Sequence, residues 1–207
     1  MTTLYLIRHG HNDFLGKRKL AGRMPNVHLS SEGCRQAEAL GRILSSVKFE
    51  AIYASPLERA VETAEPLARD QGLDILIREG LIEIGYGSWQ GQSLKALRRR
   101  KLWPIIQSTP SLARFPEGES FPEAQARVVA ELEALRGLHR SKRASIACVF
   151  HSDPIKLAIA HYLGMPLDLF QRITIAPASM SVLAVSDSHV RVMGLNDTRA
   201  THSTPEV

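Results

Sequence analysis

Short apolar runs alternate with longer stretches of helical periodicity along most of the chain. Runs near residues 3–8, 49–54, 73–78 and 144–150 read as buried strands. Two more, near 179–186 and 189–195, are joined at about Ser188 and read as an antiparallel hairpin at a sheet edge. Between the earlier runs the period changes. Ala37, Leu40, Leu44 and Val47 recur at helical spacing after Ser30 and Ser31, residue types that cap helices. Ser55-Pro56-Leu57-Glu58 reads as a capping box, with Ser55 as N-cap, Pro56 at the first helical position and Glu58 at the third. Ser120 to Glu123 repeats that logic ahead of an apolar stripe at Ala124, Val128, Leu132 and Leu135. Asp153-Pro154 opens a further helix that runs to Gly164.

This order predicts an α/β fold: a mainly parallel central sheet with helices on both faces, and an antiparallel hairpin near the C-terminus. Residues 1–195 are expected to form one domain. Residues 79–121 break the alternation with glycines, prolines, Trp89, Trp103 and Phe115, and read as an inserted lid or cap. The two tryptophans suit packing better than ligand stacking. Residues 196–207 read as a polar, frayed tail.

Composition narrows the classes further. A chain of 207 residues with 44% hydrophobic and 23% charged positions suits one substantial core in a soluble protein. It shows no signal peptide and no apolar run long enough to span a bilayer, so the expected address is cytoplasmic, with no membrane partner. Cys34 and Cys148 fit no ligand or redox spacing and read as reduced structural thiols. The net charge of +5 is local. Lys95, Arg98, Arg99, Arg100 and Lys101 form one cluster, and without them basic and acidic residues balance at 21 each. A solvated helix face is the simplest reading, and no recognition motif supports a nucleic-acid partner.

The candidate chemistry lies at strand ends. Arg8 and His9 end the first strand, Arg59 follows the second, Glu83 the third, and His151 ends the fourth. In a parallel sheet the carboxyl ends of the strands share one edge, where such folds place their sites. Two arginines, two histidines and a carboxyl suit phosphoryl transfer. Guanidinium forks match phosphoryl oxygens bidentately, and helix N-termini add partial positive charge. A neutral imidazole offers a lone pair, and a carboxylic acid can protonate a leaving oxygen.

Taken in order, "LIRHG", "ASPLERAVETA", "EIGYGSWQG" and the His151 segment resemble the histidine phosphatase superfamily on its phosphoglycerate-mutase-like branch. The likeness runs from the first strand to about residue 195. It implies that His9 is phosphorylated on a ring nitrogen, with Arg8, Arg59 and His151 forming the phosphate pocket. Glu83 is then the proton donor and afterwards the base that activates water. Neither a metal nor an organic cofactor is implied, and a homodimer is the assembly the resemblance suggests. The partner is a small-molecule phosphomonoester.

The chain also departs from the pattern. His11 and Asn12 stand where relatives often carry Glu and Thr or Ser, and Leu15 replaces an Asn that often joins the pocket. Asn12 is a substitute candidate for substrate binding. Ser152 stands where many relatives have glycine and is a second candidate; Glu119 and Ser120, in a segment that borders the pocket in relatives, are two more. The expected function is a metal-independent phosphomonoesterase acting through phosphohistidine. The alternatives are a phosphoglycerate mutase, a non-catalytic phosphate-binding regulator, and a metal-assisted hydrolase built on His9, His11, His151 and Asp153.

Overall fold

The computed structural model describes residues 1–139, 141 and 144–201. Its strands are β1 (Thr2–Arg8), β2 (Ala51–Ala54), β3 (Ile75–Ile77), β4 (Ser145–Phe150), β5 (Met180–Val185) and β6 (Val190–Asp197). Its helices are α1 (Asp13–Gly16), α2 (Ser31–Leu44), α3 (Glu58–Gln71), α4 (Leu94–Leu97), α5 (Leu102–Ser108), α6 (Phe121–Leu138) and α7 (Ser152–Tyr162). The strands form one sheet in the order β3-β2-β4-β1-β5-β6. β3, β2, β4 and β1 run parallel; β5 is antiparallel to β1, and β6 to β5. The expected mixed sheet and C-terminal hairpin are both present.

Alternation along each central strand feeds two cores. Leu4 and Leu6 of β1, Tyr53 of β2, and Ile146, Cys148 and Phe150 of β4 face one side, against α6 and α7. Ile7, Ile52, Ala54, Ala147 and Val149 face the other, against α2 and α3. The central strands β2 and β4 are buried on both faces, which is why they read as nearly continuous apolar runs. Cys148 lies inside the first core and Cys34 is exposed, both as free thiols.

Helix starts match the sequence in two cases and differ in two. Ser30 caps α2 by accepting from the Gly33 N–H at 3.2 Å. Ser120 and Glu123 form the full reciprocal box at the start of α6. The box expected at 55–58 does not form: α3 starts at Glu58 with Leu57 as its N-cap and no side-chain cap bond. Ser55 instead meets His151 at 2.7 Å, so a tertiary partner has taken the hydroxyl that the local pattern assigned to a helix end. α7 starts at Ser152, one residue before the expected Asp153, whose carboxylate turns to Tyr86 and Lys156.

The segment 79–121 carries α4, α5 and three single 3₁₀ turns. Its Leu81, Ile84, Trp89, Leu97, Ile106 and Phe115 join the same core as β1 and β4. Trp89 and Trp103 stack with ring centres 6.5 Å apart. Gly87 sits at φ +52°, and a Cβ there would stand 1.9 Å from the Pro116 carbonyl, so this turn needs glycine. At the C-terminal end β6 continues through Asp197, and Ala200 is buried, so the first residues of the expected tail pack on the domain. Residues 202–207 of that tail lie outside the described residues. No helix among the described residues is long and apolar enough to cross a membrane.

Candidate active site

Strand register assembles the site. Arg8 pairs with Phe150 across β1 and β4, and Ala54 with Val149 across β2 and β4. Three chain segments therefore leave the sheet side by side, as His9, Ser55 and His151. The His9 N–H donates to the Phe150 carbonyl at 2.9 Å, and the Ser55 N–H to the Val149 carbonyl at 2.9 Å. The chain can turn sharply after His9 because Gly10 lies against the start of α2. A Cβ on Gly10 would stand 2.9 Å from the Gly33 carbonyl oxygen.

His9 is 4% exposed. Its Nδ1–H donates to the Gly10 carbonyl at 2.8 Å, which leaves the lone pair on Nε2. Burial first, then the Arg59 and Arg8 charges, hold its pKa well below the ordinary histidine value. The ring is neutral at pH 7 and offers a nucleophilic nitrogen to the cavity.

Arg59, in the first turn of α3, is 1% exposed. Its Nε–H points at His9 Nε2 from 3.3 Å, and its Nη2 donates to the Gly22 carbonyl at 2.7 Å. The same Nη2 lies 3.4 Å from His151 Nδ1, so one guanidinium spans both imidazoles. With Nδ1 accepting there, the His151 Nε2–H donates to Ser55 Oγ. Burial, then Arg59, keeps His151 neutral as well. The two imidazole rings lie 5.3 Å apart. Arg8 is anchored through Nη1 to the Ile175 carbonyl at 2.6 Å. Arg8 Nε and Arg59 Nη1 are buried donors without a hydrogen-bond partner among the described residues. Buried guanidinium charge without an anion is costly.

Glu83 reaches the cavity from the segment after β3. It is 8% exposed, and its Oε1 accepts from the Ile84 N–H at 2.9 Å. Burial first, then the nearby Asp153 charge, raises its pKa to about 7. Its backbone is clamped. Arg23 donates to the Glu83 carbonyl at 2.7 Å, and Arg127 to the Gly80 and Ile82 carbonyls at 2.9 Å each. Both arginines pair with Glu119, at 2.9 and 3.0 Å. Burial opposes ionisation of Glu119, but Arg127, the Gly85 N–H and Arg23 hold it below the usual carboxylate range.

The cavity bounded by these groups has a volume of about 200 Å³. Arg8, His9, Arg59 and Glu83 line it, as do Asn12 and Ser152. His151 stands behind Arg59 and reaches the cavity through it. Asn12 is buried and spends Oδ1 on the Leu15 N–H, capping α1. Ser152 Oγ lies 3.4 Å from the Ile175 carbonyl. Glu119 and Ser120 do not line the cavity. Glu119 holds the Glu83 segment, and Ser120 caps α6. The alternative metal set is not gathered, because the His11 ring turns to Ser30 Oγ at 2.8 Å. Among the described residues no three His, Cys, Asp or Glu side chains are grouped to hold a metal ion.

Two contributors were not singled out from sequence, and a third, Asp153, was assigned other roles there. Thr63 accepts from the Gly10 N–H at 3.0 Å and donates to the Arg59 carbonyl at 2.6 Å, tying the "RHG" turn to α3. Its signal was its place one turn after Arg59. Tyr86 lines the cavity and donates to Asp153 Oδ2 at 2.9 Å. Asp153, read as a helix cap, also lines it. Burial works against its charge, but Lys156 and Tyr86 hold its pKa below the usual carboxylate range.

Comparison with known proteins places nearly the whole chain in a family. The family model for the histidine phosphatase superfamily (branch 1) matches residues 4–198. A 2,3-bisphosphoglycerate-dependent phosphoglycerate mutase of Thermoplasma acidophilum is 30% identical over 194 residues, covering 94% of this chain and 92% of that protein. The structure of Bacillus stearothermophilus YhfR superposes with a TM-score of 0.90 at 27% identity, over 97% of this chain and 100% of that one. Phosphoserine phosphatase from Entamoeba histolytica, in complex with 3-phosphoglyceric acid, gives 0.87 at 25% identity over the same shares. Sequence motifs, sheet order and whole-length similarity thus converge, and the chain belongs to branch 1 of the histidine phosphatase superfamily.

Proposed function

We propose that this protein is a histidine acid-type phosphatase: a metal-independent phosphomonoesterase that hydrolyses a small phosphate ester through phosphohistidine. One observation carries the reading. A buried Arg59 and a part-buried Arg8, neither with a carboxylate partner among the described residues, converge on a neutral imidazole whose Nε2 lone pair meets the Arg59 Nε–H at 3.3 Å. A phosphoryl group supplies the anion that Arg8 and Arg59 lack, and places phosphorus next to His9 Nε2.

The steps then balance. His9 Nε2 attacks phosphorus while Glu83, in its acid form, gives its proton to the departing ester oxygen. Arg8, Arg59 and His151 hold the charge that builds on the transferring oxygens, with Asn12 and Ser152 at the rim. Glu83, now a carboxylate, takes a proton from water. That water attacks phosphohistidine, releasing inorganic phosphate and restoring His9. Because Glu83 must start protonated, activity falls as pH rises through its pKa, near 7 in the free protein. A bound phosphate dianion moves that limb upward.

The mutase-named relative favours a second reading, in which a bound hydroxy acid takes the phosphoryl group instead of water. Both are tested by phosphate release from p-nitrophenyl phosphate in excess chelator, wild type beside His9→Ala. Acid-labile phosphoryl label on the wild type is measured in parallel. Turnover and label that vanish together in the variant support the phosphatase. Phosphoglycerate interconversion without net phosphate release identifies the mutase. A folded protein that labels with neither substrate class is the non-catalytic binder.

A further inference from the structure

The basic cluster that accounts for the net charge has a counterpart across a cleft. Lys95, Arg98 and Arg99, on and just after α4, face Lys17 and Arg18 over an open volume of about 750 Å³. The segment carrying Lys17 and Arg18 is also the wall of the active-site cavity: Lys19, Leu20, Ala21 and Gly22 line that cavity on its other side. Three backbone bonds stitch this wall to the strip before α4. Leu20 N–H reaches the Gln92 carbonyl at 3.0 Å, Gly91 N–H the Leu20 carbonyl at 2.7 Å, and Leu94 N–H the Arg18 carbonyl at 2.9 Å. Cleft and cavity are therefore lined by consecutive residues of one backbone-bonded segment.

A solvated helix face does not account for this arrangement. Such a face carries its cations along one element, whereas here two segments distant in sequence line one space with five cationic residues. Among the described residues only Lys17 has a carboxylate near it, Asp13 at 4.0 Å. Arg98 is held over the Trp103 ring at 5.9 Å. Arg18 keeps φ at +51°, in the left-handed region where glycine or asparagine is usual.

We propose that this cleft binds a second anionic group of the substrate. On the phosphomonoesterase reading, on which this rests, the physiological substrate is a phosphate ester carrying a further phosphate or carboxylate at a distance from the scissile one. The reacting phosphoryl group sits at His9 while the second anion passes over the 19–22 wall to the cations beyond.

The quantity to measure is the ratio of kcat/KM for a nucleoside 3′,5′-bisphosphate to that for the 5′-monophosphate. In the wild type it is expected at about tenfold or more, shrinking as salt rises, because exposed pairs are screened. In Lys95→Glu/Arg99→Glu it collapses towards one. Arg18→Gly, which suits the positive φ, lowers it without loss of folding. A phosphorylated hydroxy acid set against its amide reads the carboxylate source in the same way. Equilibrium binding of the same nucleotides to His9→Ala gives the ratio without turnover, so a failure of the phosphatase reading is seen separately. A ratio near one in the wild type, or one that survives charge reversal, overturns the proposal. So does tighter binding of a single-stranded oligonucleotide than of the bisphosphate, which makes the cleft a nucleic-acid surface.

Discussion

The floor and the roof of the cavity are built on different principles. His9, Ser55 and His151 leave three adjacent strands in register, and backbone bonds of 2.9 Å fix two of those exits. Their relative positions are consequences of sheet geometry. Glu83 and Tyr86 instead sit on a segment without strand or α-helix, held by the Arg23–Glu119–Arg127 ion-pair group against the start of α6. The backbone positions of the floor are lost only if the sheet is lost. The roof depends on a few side chains whose loss leaves the fold intact, so phosphate binding and proton transfer should separate under mutation.

Arg59→Ala strikes the floor and is expected to have the largest effect. It removes the donor aimed at His9 and the link to His151, and kcat/KM should fall about 10³-fold, as when a preorganised charge-stabilising donor is lost. Competitive inhibition by inorganic phosphate should weaken with it. Arg127→Ala strikes the roof. The carbonyls of Gly80 and Ile82 lose their donor and the acid is misplaced, so kcat should fall about 10²-fold while phosphate inhibition persists. Equal loss of phosphate binding in both variants would dissolve the distinction.

The same contrast explains what was legible in the sequence. The floor follows from periodicity plus one rule about parallel sheets, so Arg8, His9, Arg59 and His151 could be placed together before any coordinates. Glu83 could be put at the same edge after the third strand, but its role as the acid came only through the family resemblance, because nothing local tells it from Glu79. Tyr86 was missed, and Asp153 was read as a helix start and an alternative metal ligand, because their bond joins residues 67 positions apart, with no spacing rule to connect them. The Ser55 error has another cause. "SPLE" fits the capping template, but the hydroxyl faces a histidine 96 positions away. Ser55→Ala should leave helix α3 unharmed and instead strand the His151 N–H, costing about 1–3 kcal/mol of stability and lowering kcat/KM about tenfold.

A smaller effect separates the two carboxylates beneath the roof. Asp153 raises the Glu83 pKa through its negative charge, second only to burial. Asp153→Asn removes that charge, so the Glu83 carboxylate becomes easier to form and its pKa falls. Less of the acid form is then present at pH 7, and the alkaline limb of kcat moves to lower pH. Activity well below pH 7 changes least. A limb that stays in place would mean that Glu83 is not the group titrating there.

Ser120→Ala should have the smallest effect on catalysis, and it tests the border between the two regions. Ser120 lies close in sequence to Glu119, which clamps the roof, yet its own hydroxyl accepts from the Glu123 N–H at 3.3 Å as the cap of α6. Losing that cap should cost about 1 kcal/mol, seen as a lower denaturant midpoint with an unaltered slope. KM should stay at the wild-type value, because Ser120 does not line the cavity. A raised KM at normal stability would place Ser120 against substrate, and would mean that the roof reaches further over the pocket than its hydrogen bonds indicate.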